Sequence, residues 1–158
     1  MIQLLDIIRI LLVGIAFYFG YSVGFQEIYD PVSQLRIMIP IVVVAIAGIS
    51  GLEGLLFGKK AAMAKGYEIG SNYQKQSAFA LLSFSFGAIL VYFANWGIES
   101  ELTVLFIFLF FFLLSAANHG LEAIRHNNYN WQNINRPFIF LLLFAGFVYP
   151  VFMVLAYK

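Results

Sequence analysis

The chain has 158 residues, of which 62% are apolar and only 11% carry a charge. Soluble domains are nearer ~45–50% apolar and ~25% charged, and a small soluble fold leaves much of its surface in water, so this composition excludes an ordinary soluble domain. A net charge of +1 gives no electrostatic basis for binding nucleic acid, and the lack of Cys excludes disulfides, thiolate metal sites and a Cys nucleophile. The expected partner of most of the surface is a lipid bilayer.

Five segments are apolar enough to cross a bilayer, which needs about 20 such residues per helix. They run over about residues 7–25, 37–57, 77–96, 102–118 and 138–157. The short acidic connection 96–101 predicts a tight hairpin of the third and fourth spans. Pro137 is expected to open the last helix, where a proline costs little, and Pro150 is expected to kink it. The sequence thus predicts an all-α transmembrane bundle of five spans, with residues 1–158 as one domain.

The Lys and Arg residues predict the orientation of this bundle. With five spans, the N-terminus shares a side with the second and fourth connections, and most basic residues fall on that side. They are Arg9, Lys59, Lys60, Lys65, Lys75, Arg125 and Arg136, against Arg36 and Lys158 on the other side. The positive-inside rule therefore predicts a cytoplasmic N-terminus, and we expect a multi-pass protein of a prokaryotic cytoplasmic (inner) membrane.

A stripe of small residues runs along the second span at spacings of three and four. It consists of Ala45, Gly48, Gly51, Gly54 and Gly58. Small residues at this spacing let another helix approach closely, and in lipid such packing contributes to helix association. The stripe predicts close packing, either within the chain or against a partner subunit or a second copy.

Glu53 is an acid within the second span, on roughly the opposite face from the glycines. A carboxylate at membrane depth is costly and marks a functional site by default, here a protonatable or ion-binding group. Because Lys59 and Lys60 follow closely, Glu53 could instead reach the inner interface. Asp6 and Arg9, three residues apart on the first span, are expected to pair with each other.

The end of the fourth span carries a candidate metal site. His119, Glu122 and His126 are spaced by three and four residues, which places them on one face if the helix continues that far. Imidazole and carboxylate are metal ligands, and Glu53 is a further acid on the same half of the membrane. The plainer interpretation is a solvated turn in which Glu122 pairs with Arg125 or a His ring.

Short motifs resemble an uncharacterised family of small prokaryotic membrane proteins, loosely like the DoxX-type four-helix proteins. They are Gly51-Leu52-Glu53-Gly54-Leu55, Phe57-Gly58, Gly66-Tyr67, Gly70-Ser71, Tyr73-Gln74, His119-Gly120, Asn128-Tyr129 and Pro137. The chain departs from the family pattern at two places. Lys59 stands where the family has a His, and the later pair His119-Gly120 has the reverse of the family's order Gly-His. The resemblance implies a helical membrane bundle and supplies no activity.

The leading functional expectation is a non-catalytic accessory or structural subunit that packs against other membrane helices or itself. Two alternatives stay open: a metal-binding or redox protein that uses His119, Glu122 and His126, and a small transporter with Glu53 as its protonatable site. The sequence identifies neither a catalytic residue nor a cofactor.

Overall fold

The computed structural model describes residues 2–66 and 68–156, and every regular element in these ranges is helical. The helices are α1 (Ile2–Gly24), α2 (Pro31–Val43), α3 (Ile49–Leu56), α4 (Gly58–Lys65), α5 (Asn72–Phe93), α6 (Ile98–Arg125) and α7 (Trp131–Ala156). A π-helical turn, Val44–Gly48, joins α2 to α3. Five helical stretches of the described residues are long and apolar enough to span a membrane, which confirms the predicted all-α membrane bundle.

The second span, α2 through α3, is the centre of the bundle. Its membrane window is 61% buried by the rest of the chain, whereas that of α1 is 11% buried. Helix α1 packs chiefly on α2, α5 packs on the π turn and α3, and α6 and α7 pack on each other and on α2. The most buried large side chains, among them Phe108, Phe147, Leu35 and Met38, lie where these helices meet.

Local signals explain where the helices begin and end. Asp30 accepts hydrogen bonds from the backbone N–H groups of Val32 and Ser33, and Pro31 occupies the first turn of α2, where its missing N–H costs nothing. Ser71 caps α5 by accepting from the N–H of Tyr73. Gly66 ends α4 with φ of +68°, a left-handed conformation that glycine adopts without steric cost.

The last helix differs from the sequence prediction at its start. Pro137 does not open α7, because the helix already begins at Trp131 and includes Pro137. The N–H groups of Asn133 and Ile134 bond to the carbonyl of Asn130, so the first turn forms before the proline. Pro137 has no N–H and so removes only one backbone hydrogen bond from a helix whose first turn is already formed. Its ring lies near Gly120 of α6.

Candidate functional site: a cleft between the first and last helices

Arg9 links two acids at the end of the bundle where α1 begins. Its guanidinium group forms ion pairs with Asp6, one turn earlier on α1, and with Glu53 of α3. The pairing of Asp6 with Arg9 that the spacing predicts is confirmed. Arg9 is only 8% exposed and Glu53 only 2% exposed, so this is a buried ion pair that joins two spans.

Glu53 is therefore enclosed by the chain and paired with Arg9. A buried charge is tolerated when a partner of opposite sign lies against it, and removing one partner leaves the other charge buried and uncompensated. The structure gives Glu53 a role in holding α1 to α3. Sequence reasoning missed Arg9 as its partner because 44 positions separate the two residues and Arg9 already had an acid three positions away.

A cleft of about 260 Å³ opens beside this ion cluster, between α1 and α7. Val13 and Phe17 line it from α1, and Ile139 and Leu143 line it from α7. At its far end a Cβ on Gly146 would lie 2.1 Å from the ring of Phe17, so the two helices touch there. This part of the cleft is lined by apolar side chains and ends at the contact between Phe17 and Gly146.

The other end of the cleft is polar. Asp6 and Arg9 of α1, Ser50 of α3 and Asn135 and Arg136 of α7 line it. Two donors in this set, Arg9 Nε and Ser50 Oγ, are buried and have no hydrogen-bond partner among the described residues. Buried donors are nearly always satisfied in native proteins, so these two atoms mark a position beside the cleft where the described residues leave hydrogen bonds unmade.

His119 does not line this cleft and makes a separate polar contact. Its Nδ1 is 2.7 Å from Oδ1 of Asn133, and both residues are buried. The amide nitrogen of Asn133 donates to the carbonyl of Asn128, which makes its oxygen the acceptor and places the proton on Nδ1 of His119. This contact ties the end of α6 to the start of α7.

The three side chains of the candidate metal site divide between two contacts. Helix α6 does continue to Arg125, so the predicted face exists. Glu122 lies 2.7 Å from His126, whose side chain is 68% exposed, whereas His119 bonds to Asn133. Within residues 2–66 and 68–156, no three His, Asp or Glu side chains are grouped so that they could hold a metal ion.

The stripe of small residues on the second span receives α5 of the same chain. A Cβ on Gly51 would lie 2.9 Å from the carbonyl oxygen of Ala78, and one on Gly54 would lie 2.9 Å from the Cβ of Ala78. Ser85 lies against Gly48, Gln74 lies near Gly58, and Ala45 is 1% exposed. The close approach that the stripe predicts occurs inside the chain.

A second cavity of about 350 Å³ lies between α5 and α6 and shares Ser50 and Arg136 with the cleft. Ser77, Ser115, Asn118 and His119 add polar groups to its lining. Polar side chains therefore line both cavities.

Comparison of the chain with protein-family models, with curated proteins and with solved structures gave no match. Its resemblance to the DoxX-type proteins therefore stays a prediction, and what can be concluded about the chain rests on the bundle and its cleft.

Proposed function

We propose that the chain is a non-catalytic accessory protein of a prokaryotic cytoplasmic membrane that binds a lipid-like amphiphile in the cleft between α1 and α7. The observation that carries this proposal is a largely apolar cleft with charged and polar side chains at one end, where Arg9 Nε and Ser50 Oγ are buried and have no partner among the described residues. Small-molecule sites combine a mostly apolar lining with a few placed polar groups in the same way.

The apolar part of the cleft suits one hydrocarbon chain. Val13, Phe17, Ile139 and Leu143 provide carbon on both sides, and the cleft lies within two membrane-spanning helices. A hydrocarbon chain that moves from the bilayer into the cleft exchanges one apolar environment for another. Close packing and the polar end of the cleft must therefore supply the affinity.

The polar end suits an uncharged head with oxygen acceptors. Asp6 and Glu53 carry two negative charges and Arg9 and Arg136 carry two positive ones, so the formal charges around this end cancel. An ester, carbonyl or hydroxyl oxygen can accept from Arg9 and Ser50 without adding a charge to a buried site, which would be costly. We therefore expect a neutral single-chain amphiphile such as a monoacylglycerol.

The orientation and the partners belong to the same proposal. The excess of Lys and Arg at the end where α1 begins supports a cytoplasmic N-terminus. Helix α1 presents most of its surface outward, which suits association with other membrane subunits. Purification in a mild detergent followed by identification of co-purifying chains tests that association.

Trp131 allows a direct test of the cleft. The chain has two Trp residues, and Trp131 lines the cleft whereas Trp96 lies at the other end of the bundle. In a Trp96→Phe background in nanodiscs, a monoacylglycerol with a brominated chain should quench Trp131 in a saturable way. Ile139→Phe, which fills the cleft, should abolish the saturable part. Leu141→Phe, at a 61% exposed position of the same helix, should leave it unchanged.

Quenching that rises linearly without saturation, or that is the same in Ile139→Phe and Leu141→Phe, would contradict binding in the cleft. Either result would show only contact between Trp131 and bulk lipid.

A further inference from the structure

A separate surface cavity lies at the end of α3, on the side of the molecule where α4 and α5 begin. Its volume is about 610 Å³, and it is lined by residues at the end of α3, the start of α4 and the start of α5. Lys59, Lys60 and Lys75 all line this cavity, and all three are exposed. None of these lysines lines the cleft.

The charged side chains that line the cavity are all positive. Its lining includes three Lys side chains and no carboxylate from the part of the chain that is described. Helix α4 starts at Gly58 without a side-chain cap, so the N–H groups of its first turn add partial positive charge. The Ser71 hydroxyl and the Gln74 side chain add polar groups beside the lysines.

One wall of the same cavity is apolar. Leu55 and Leu56, in the last turn of α3, line it and are 37% and 69% exposed. Leu55 and Leu56 end the second candidate span and the lysines follow it, an order that would place the leucines near the start of the acyl chains and the lysines near the headgroups of a bilayer. A soluble anion would use the lysines alone, whereas a phospholipid would use both walls.

We propose that this cavity binds the headgroup of an anionic phospholipid, with its phosphate between Lys59, Lys60 and Lys75 and its acyl chains along Leu55 and Leu56. Juxtamembrane lysines attract anionic lipids by about 1 kcal/mol each, which corresponds to about a fivefold change in affinity per lysine. The site would hold a lipid at a fixed position on the rim of the bundle, next to α4.

Native mass spectrometry of the purified protein in an uncharged detergent tests this site with defined additives. Phosphatidylglycerol should remain bound at concentrations where phosphatidylcholine does not. Lys59→Gln, Lys60→Gln and Lys75→Gln should each weaken phosphatidylglycerol about fivefold, and the triple variant should lose the preference. Arg125→Gln removes an exposed cation outside the cavity and should leave the affinity unchanged.

Three results would overturn the proposal. Equal retention of phosphatidylcholine would show that headgroup charge is not recognised. Competition by millimolar inorganic phosphate that displaces phosphatidylglycerol completely would show a site for a free anion. A triple lysine variant that still prefers phosphatidylglycerol would place the lipid elsewhere. Because surface Lys→Gln changes usually alter stability little, an unchanged melting temperature without lipid confirms that the variants are folded.

Discussion

The hydroxyl of Tyr21 donates a hydrogen bond of 2.9 Å to the carbonyl oxygen of Gly146. Pro150 lies four positions after Gly146 in α7 and has no N–H to give to that carbonyl. A tyrosine of the first helix thus satisfies a backbone group that the proline of the last helix leaves open. In lipid an unsatisfied carbonyl is costly, so this bond links the integrity of α7 to the position of α1.

Tyr21→Phe should therefore lower the stability of the bundle by about 1 kcal/mol, the usual net contribution of one hydrogen bond. In a Pro150→Ala background the restored N–H can bond to Gly146, so Tyr21→Phe should cost clearly less there. Thermal unfolding in detergent measures all four members of this cycle. Tyr18→Phe, at a 69% exposed position, is the control and should change nothing. Equal costs in both backgrounds would contradict the link to the proline.

Gly146→Ala should destabilise the protein, because the new methyl group would lie 2.1 Å from the ring of Phe17. Overpacking of this kind usually costs about 1–3 kcal/mol. Adding Phe17→Leu should recover part of the loss. Gly14→Ala on α1 has open space around its Cβ and, since Ala favours helix more than Gly, should leave stability unchanged or raise it slightly. If both glycine variants behave alike, the contact between α1 and α7 is not tight.

The features of this fold that could be predicted from sequence are those set by local composition. Apolar length gives the five spans, and the short connection after α5 gives the hairpin with α6. The Asp6–Arg9 pair follows from a spacing of three. Each of these depends on residues that are near one another in the chain, so a pattern of residue types is enough.

Long-range partners could not be predicted in this way. Nothing local to Glu53 indicates Arg9, and nothing local to His119 indicates Asn133, because both pairings depend on which helices become neighbours. The cleft likewise results from α1 and α7 separating at one end and touching at Gly146. The sequence did not predict that α7 begins as early as Trp131. Proline is common in the first turn of a helix, so Pro137 alone does not distinguish a helix that begins there from one that begins six residues earlier.

Glu53→Gln should lower the free energy of unfolding by about 1–3 kcal/mol, since it removes one of the two acids paired with the buried Arg9 and leaves the pair with Asp6. The double variant Arg9→Met with Glu53→Met removes both charges and should be more stable than either single variant. Unfolding in detergent measures this order. A carrier built on Glu53 would behave differently. Glu53→Gln would abolish a pH-dependent flux in vesicles and leave the stability of the protein unchanged.

Zinc binding distinguishes the two contacts at the end of α6. The pair of Glu122 and His126 is exposed and can hold a metal ion weakly, whereas His119 is occupied by Asn133. In equilibrium dialysis we expect weak binding that His126→Ala removes and that His119→Ala leaves unchanged. If His119→Ala abolishes binding, then His119, Glu122 and His126 act together as one metal site.

The cap of α2 predicts how stability depends on pH. Hydrogen bonds from the hydroxyl and backbone N–H of Ser33, together with the N–H of Val32, hold the pKa of Asp30 below its usual range. A carboxyl whose pKa is lower in the folded state stabilises the protein at pH values above its unfolded pKa, near 4, and this contribution is lost as pH falls through the folded pKa.

Asp30→Ala should cost about 1 kcal/mol at neutral pH, the usual effect of removing an N-cap. Asp30→Asn keeps an acceptor oxygen but cannot titrate, so it should lose less stability than Asp30→Ala at pH 7 and flatten the fall in stability below about pH 4. An unchanged acid profile in Asp30→Asn would assign that fall to another carboxyl group.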